Sequence, residues 1–313
     1  MKIESGIIGK IILAAIMIIY LFLSFGISDI FSKFSDILKP EFGIAFLLVL
    51  IVVLLNAIAI FALYRGISKI KFREFIGPFF ASWVLGYIVP GKIGSLGISY
   101  MLKDKVPPGR STAIFVIDKA ITICVAAIIG FWVLPQILSK NELITFTVFF
   151  AAGIIVISFG VYLKQGRDIL KKILGKKAEF FTGYAKTFPL FMQNPVGIIT
   201  NLLFTIARIV LQAYILQILF SILGIELSIV NGILLVAISV ILSLTPFTFS
   251  GLGVKENIFT IIATKMGLPM AESAVVALSS TALSWFTLAA FMFWFWKEAN
   301  RAGKEISSSQ KMK

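Results

Sequence analysis

The sequence predicts an all-α polytopic transmembrane helical bundle. Three observations predict it. Of 313 residues, 59% are hydrophobic and only 14% charged, with mean hydropathy +1.00. A soluble core cannot hide that much apolar surface. Apolar runs recur at the length of roughly 20 residues that a helical crossing needs. The charges between the runs are mostly basic, and basic loops mark the cytoplasmic side.

The runs come first. Clear spans are Gly6–Phe25, Gly43–Tyr64, Thr112–Leu134, Leu143–Leu163, Val196–Leu223 and Ser273–Trp296. Two apolar regions remain, Glu74–Leu102 and Leu227–Met266. Each is broken by a turn: "PGKIGSLG" at 90–97 in the first, "TPFTFSGLG" at 245–253 in the second.

Charge parity decides what these two regions do. The loop 65–73 carries Arg65, Lys69, Lys71 and Arg73 and no acid but the loop 164–186 carries seven cations against Asp168 and Glu179. Both belong in the cytoplasm, as does the basic tail after Trp296. The loop Lys103–Arg110 must then be cytoplasmic too. Residues 74–102 therefore leave and return on one side. They form a hairpin, not a span. By the same count, 227–268 returns to the outer side. Both termini are expected in the cytoplasm, and the chain in the cytoplasmic (cell) membrane.

The two turns match each other. Pro90 is followed by Leu96-Gly97-Ile98, and Pro246 is followed at the same distance by Leu252-Gly253-Val254. About half the chain separates them. Two amphipathic stretches, 27–38 and 169–181, follow the first span of each half and read as interfacial helices. One integral membrane domain, 1–313, then divides into a first repeat half 1–138 and a second 139–313. Three crossings per half is an odd number, so the halves would be inverted, as in many secondary transporters.

Broken helices suggest where a ligand sits. Proline ends a helix, and glycine lets backbone or ligand approach. Helices restarting near Ser95 and Gly253 would aim their N-termini at the membrane middle, where N-termini attract anions. Lys92 and Gly94 lie in the first turn; Ser250, Gly251 and Lys255 lie in or beside the second. Intramembrane charges add to the set. Asp118 and Lys119 sit in the third clear span, on diverging faces. Asn201, Thr205, Arg208 and Gln212 form one stripe at helical spacing, and Glu256 follows Lys255. Arg208 and the lysines would meet an anionic headgroup, while Asp118 and Glu256 balance charge or bind a coupling cation or proton. The other reading is a salt-bridge network that only orients helices, for example Arg208 with Glu256. Ser273, Ser280, Ser284 and Thr287 share a face of the last span and read as a polar packing seam.

"VPGKIGSLGISYML" and "TPFTFSGLGVKEN", set between hydrophobic spans, resemble the integral-membrane domain of the lysylphosphatidylglycerol synthase/flippase family. The family's second motif looks like Pro-x-x-x-Gly-Gly-Leu-Gly-x-Arg-Glu. It is matched here by Pro246, Gly251, Leu252, Gly253, Lys255 and Glu256, with Ser250 for the first glycine. The first motif, Pro-Gly-Arg-x-Gly-Glu-x-x-Arg, is matched at Pro90, Gly91, Lys92 and Gly94. It departs at Ser95, where glutamate is usual, and at Ile98, where arginine is usual. "VIDKAIT" resembles the family's charged span, with Asp118 and Lys119 at the charged pair. The resemblance implies translocation of a phospholipid or polyprenyl-phosphate-type headgroup between leaflets. The family's aminoacyl-transferase domain has no counterpart in this chain.

Several classes are excluded. Histidine is absent and Cys124 is the only cysteine, which removes intrachain disulfides, His- or Cys-based zinc sites and His-dependent triads. Cys124 reads as a packing residue in an apolar helix. No small-residue cleavage site follows the first run, so no cleavable signal is expected. No catalytic motif or cofactor fingerprint is present, so neither enzyme activity nor a cofactor is expected. The formal charge of +14 fits topology and anionic lipid better than nucleic acid. The expected partner is a membrane lipid with an anionic headgroup, with a homodimer as the open assembly question. An ion-coupled carrier for a small anion and a non-transporting scaffold are the rival functions.

Overall fold

The computed structural model describes residues 5–25, 27–145, 147–148, 187–193, 195–244 and 248–294. Most of the expected span Leu143–Leu163 lies outside them. So do the basic segment 164–186 with its amphipathic stretch 169–181, Pro246, and the tail after Trp296.

Among the described residues the chain is helical and has no strand. The helices are α1 (Ser5–Phe25), α2 (Ile27–Ile37), α3 (Pro40–Ile67), α4 (Phe72–Ile88), α5 (Gly97–Met101) and α6 (Pro108–Val133). They continue with α7 (Phe188–Gln193), α8 (Val196–Ile222), α9 (Ile229–Ser243), α10 (Val254–Lys265) and α11 (Met270–Trp294). Pro40 and Pro108 open α3 and α6 at the first helical position, where proline's missing N–H costs nothing. Ser228 caps α9 by accepting the Asn231 amide. Four helices, α3, α6, α8 and most of α11, are long and apolar enough to cross a membrane. A shorter apolar stretch, Ile12–Leu23, lies in α1.

These helices expose apolar side chains. On α3, Ile44, Leu47, Ile51, Leu54 and Ile58 form an outward stripe at three- and four-residue spacing. Ile199, Leu203, Ile206 and Val210 do the same on α8. Such faces suit lipid, where every backbone group must be paired within its own helix. Cys124 is also exposed on α6, so it is no core packing residue. The helix places it on the outward side, a face that an apolar run does not reveal.

The bundle has two ends, each tied by side-chain contacts. At one end Lys39 Nζ donates to the Ile222 carbonyl at 3.0 Å, Lys33 pairs with Glu272, and Lys265 pairs with Glu142. At the other, Lys105 bonds Glu74 and Arg110 reaches the Ile67 carbonyl. There α8 begins against α3, and a Cβ on Gly197 would lie 2.8 Å from the Ala62 carbonyl oxygen. So α3 and α8 run antiparallel along most of their length. The Glu74–Lys105 contact closes 74–105 into a hairpin, as charge parity predicted. Gln217 bonding the Leu227 carbonyl, together with Lys265–Glu142, closes 227–265 at the opposite end.

Candidate functional site

The two hairpin tips meet inside the bundle. The first is a 3₁₀ turn, Pro90–Leu96, and the second a short turn, Phe249–Gly251, with which it is in contact. The glycines explain the close folding. A Cβ on Gly94 would run into the Leu85 carbonyl, and one on Gly86 into the Ser95 hydroxyl. The first tip is thus pressed flat onto α4. Gly251 (φ 77°) would put a Cβ 2.8 Å from the Leu242 carbonyl, and Gly253 (φ 83°) would put one 2.6 Å from Met17 Cβ on α1. Each tip also holds a non-glycine residue in the left-handed region, Lys92 at φ 55° and Ser250 at φ 50°. Such backbone costs of order 1 kcal/mol and clusters at functional sites.

A cavity with two adjoining lobes surrounds the meeting point. One lobe, about 120 Å³, runs toward the Glu74–Lys105 end and is lined by Asn56, Lys92, Ser95, Lys119, Thr122 and Arg208, among others. The second, about 130 Å³, runs toward the opposite end and takes in Ser239, Ser250, Lys255, Ser280 and Ser284. Each far exceeds the roughly 10–15 Å³ that one water needs. Lys92, Tyr87, Gln212, Ser243 and Ser284 line both. Lys92 is the one cation common to the two. Its ammonium lies 5.2 Å from the Tyr87 ring centre, a cation–π distance. Apolar side chains lie among the cations in both linings: Val49, Val52, Val53 and Ile60 in one lobe, Ile215, Leu216, Val236 and Phe259 in the other.

The carboxylates stand behind the cations, not in the cavity wall. Asp118 is buried and accepts Lys119 Nζ at 2.7 Å and Asn201 Nδ2 at 3.1 Å. Glu256 is fully buried. It accepts the Gly253 amide at 2.6 Å and the Thr281 hydroxyl at 2.5 Å, and Lys255 Nζ lies 3.3 Å away. Thr281 in turn accepts from Lys255 Nζ at 2.9 Å. Arg208 bonds Asn56 Oδ1 and, at 3.4 Å, Thr122 Oγ1. Its Nε and the Gln212 Oε1 are buried without a partner among the described residues.

Of the sequence-predicted residues, the fold brings Lys92, Ser95, Lys119, Arg208, Gln212, Ser250 and Lys255 to the cavity. Gly94, Gly251 and Gly253 shape the backbone beneath it. Asp118 and Glu256 hold cations from behind. Five readings change. The helix after Ser95 has five residues, too short for an anion-attracting terminus. At Gly253 the Glu256 carboxylate already occupies the amide, a capping arrangement that any anion would have to displace. Asp118 and Lys119 pair in spite of their adjacent numbers, because the long lysine stem swings back. Arg208 bonds Asn56 in place of Glu256. Ser280 and Ser284 line the cavity in place of a packing seam. Asn56, Tyr87, Thr122, Ser243 and Thr281 were not foreseen. Asn56 alone carried a signal, a lone amide midway along an apolar span.

The lysylphosphatidylglycerol synthase transmembrane region, as a family, matches residues 7–291. The chain belongs to this family. The likeness read from the two tips is borne out, and the match runs through both hairpins and the helices that carry every cavity residue. It makes the chain a multi-pass membrane protein of a lipid-related family. Comparison with curated proteins and with solved structures finds no match.

Proposed function

We propose that the chain is a flippase-like transporter that moves an anionic lipid headgroup between leaflets. One observation carries the reading: a two-lobed cavity, lined by both cations and apolar side chains, lies where two hairpins from opposite ends meet. A headgroup would enter one lobe, pass Lys92 and leave by the other, its acyl chains along the apolar side chains of the lining. The hairpins, opening at opposite ends, support an inverted repeat of the halves 1–138 and 139–313. Preorganised cations in a low-dielectric cavity bind anions far more strongly than they do in water. On this reading the chain is no enzyme, sits in the cell membrane with both termini cytoplasmic, and binds lipid. A homodimer is compatible with it.

The test is headgroup transfer in vesicles reconstituted with the full chain. Replacement of Lys255 or Arg208 by alanine should abolish transfer of a fluorescent anionic lipid. Full transfer in both variants would sink the proposal.

A second reading has one observation in its favour: Glu256, buried and linked through the Thr281 hydroxyl to Lys255, resembles a proton-coupling element. In an ion-coupled carrier of a small soluble anion, proton flux would follow substrate and vanish in Glu256→Gln.

A further inference from the structure

The charge balance of the cavity narrows the headgroup. Four cations surround it, Lys92, Lys119, Arg208 and Lys255. The other three, and the Asp118 carboxylate, all lie within electrostatic reach of Lys92. Against them stand two carboxylates, Asp118 and Glu256, each within salt-bridge distance of one cation, Lys119 and Lys255. Among the described residues neither Lys92 nor Arg208 has a carboxylate within that distance. Among the described residues, four cationic side chains against two carboxylates leave an excess of two positive groups at the cavity. Uncompensated charge in a poorly solvated site is costly until a counter-charge arrives.

The donors left open are of the matching kind. Arg208 spends one nitrogen on Asn56 and another on Thr122, and its Nε has no partner. Among the described residues Lys92 has no carboxylate within salt-bridge distance; its ammonium lies by the Tyr87 ring, and the residue lines both lobes. A guanidinium edge and an ammonium on one cavity suit the several oxygens of a phosphate group.

We infer that the site selects a dianionic phosphate monoester over a monoanionic phosphodiester, and rejects a headgroup carrying net positive charge. This rests on the lipid-transport reading above and names its substrate class. A terminal monoester carries close to two negative charges at neutral pH, enough to balance the two open cations. A diester supplies one. An aminoacylated diester brings its own ammonium groups into a ring of four cations, where like charges repel. The shared chemistry is a phosphate dianion, which a lipid or free phosphate could supply.

The experiment uses the purified full chain in nanodiscs of neutral phosphatidylcholine. Binding of short-chain phosphatidic acid, phosphatidylglycerol, lysyl-phosphatidylglycerol and inorganic phosphate is compared, and transfer of the three lipids is followed in vesicles. Phosphatidic acid should bind at least tenfold more tightly than phosphatidylglycerol, and lysyl-phosphatidylglycerol least. Lys92→Gln should reduce the tenfold preference to about threefold or less, and Lys92→Arg should keep it. Transfer of phosphatidylglycerol with equal or tighter binding would overturn the selectivity and leave the transport reading standing. Tight binding of inorganic phosphate with no lipid transferred would keep the dianion site and overturn the lipid reading. A preference unchanged in Lys92→Gln would overturn the charge-balance argument itself.

Discussion

Asn201 reaches from α8 to Asp118 on α6, its Nδ2 donating to Oδ1 at 3.1 Å, so one buried carboxylate is shared by two helices and a cavity lysine. Asp118 thus acts on the site through Lys119 and is a positioning residue. Asp118→Asn keeps the shape and removes the charge. Breaking a buried pair by removing one partner costs about 3–5 kcal/mol, and the partial exposure of Lys119 puts this case toward the lower end. The expected result is a lower melting temperature in detergent and at least a tenfold slower headgroup transfer. Adding Lys119→Met should restore much of the melting temperature and none of the transfer. Restored transfer in the double variant would show that Lys119 never touches substrate.

Thr281 offers a second positioning test. Its hydroxyl donates to Glu256 and accepts from Lys255, while those two remain 3.3 Å apart without it. Thr281→Val conserves volume and removes both bonds, each worth about 1 kcal/mol. Stability should fall by about 1–2 kcal/mol and transfer by roughly fivefold as Lys255 loses its fixed aim, order-of-magnitude expectations from the same bond energies. Thr281→Ser should retain both. Wild-type transfer in the valine variant would remove Thr281 from the site.

Gly94 and Gly43 make a matched pair for the hairpin. A Cβ on Gly94 meets the Leu85 carbonyl, whereas one on Gly43 meets nothing within 4 Å. Overpacking against backbone costs roughly 1–3 kcal/mol or more, and alanine in place of a helical glycine gains up to about 1 kcal/mol. Gly94→Ala should therefore lower the melting temperature and transfer together. Gly43→Ala should raise the first and leave the second alone. Equal melting temperatures for the two would mean the first tip is not held against α4.

Much of this was legible beforehand, for physical reasons. Apolar runs longer than a bilayer crossing declare themselves, and the loops 65–73 and 103–110, both basic, force Glu74–Leu102 to turn back. The Glu74–Lys105 contact closes that turn. The site was half legible. Charges within apolar spans cannot hide, so Lys119, Arg208 and Lys255 were found. Their partners were not, because pairing depends on the rotation of each helix. Nothing in periodicity turns Lys119 back onto Asp118 or sets Arg208 against Asn56. Thr281 and Thr122 look like any small residues of a membrane helix until a neighbour gives them a role. Glu256 could have been read more fully: a glutamate two positions beyond the first residue of α10 is where a capping carboxylate sits.

The two closing pairs predict an acid response. At one end Lys265 Nζ lies 2.5 Å from Glu142. That bond, with those from the Ser139 amide and hydroxyl, lowers the Glu142 carboxyl from its ordinary 4.5 to about 2. At the other, Glu74 is lowered by its bond from Lys105 and by the Lys71 amide. A carboxylate whose folded value is depressed stabilises the fold above its unfolded value, and loses that contribution as pH falls through the folded one. For Glu142 the window is about 4.5 down to about 2. The melting temperature should thus hold from pH 6 to about 4.5 and decline below. Both carboxylates are solvent-exposed, so the decline should be shallow and further reduced by salt. With Glu142→Gln and Glu74→Gln combined, it should be shallower still, and transfer at neutral pH should be unchanged, because neither residue lines the cavity. An identical acid profile in that double variant would show that the two ends are held by packing alone.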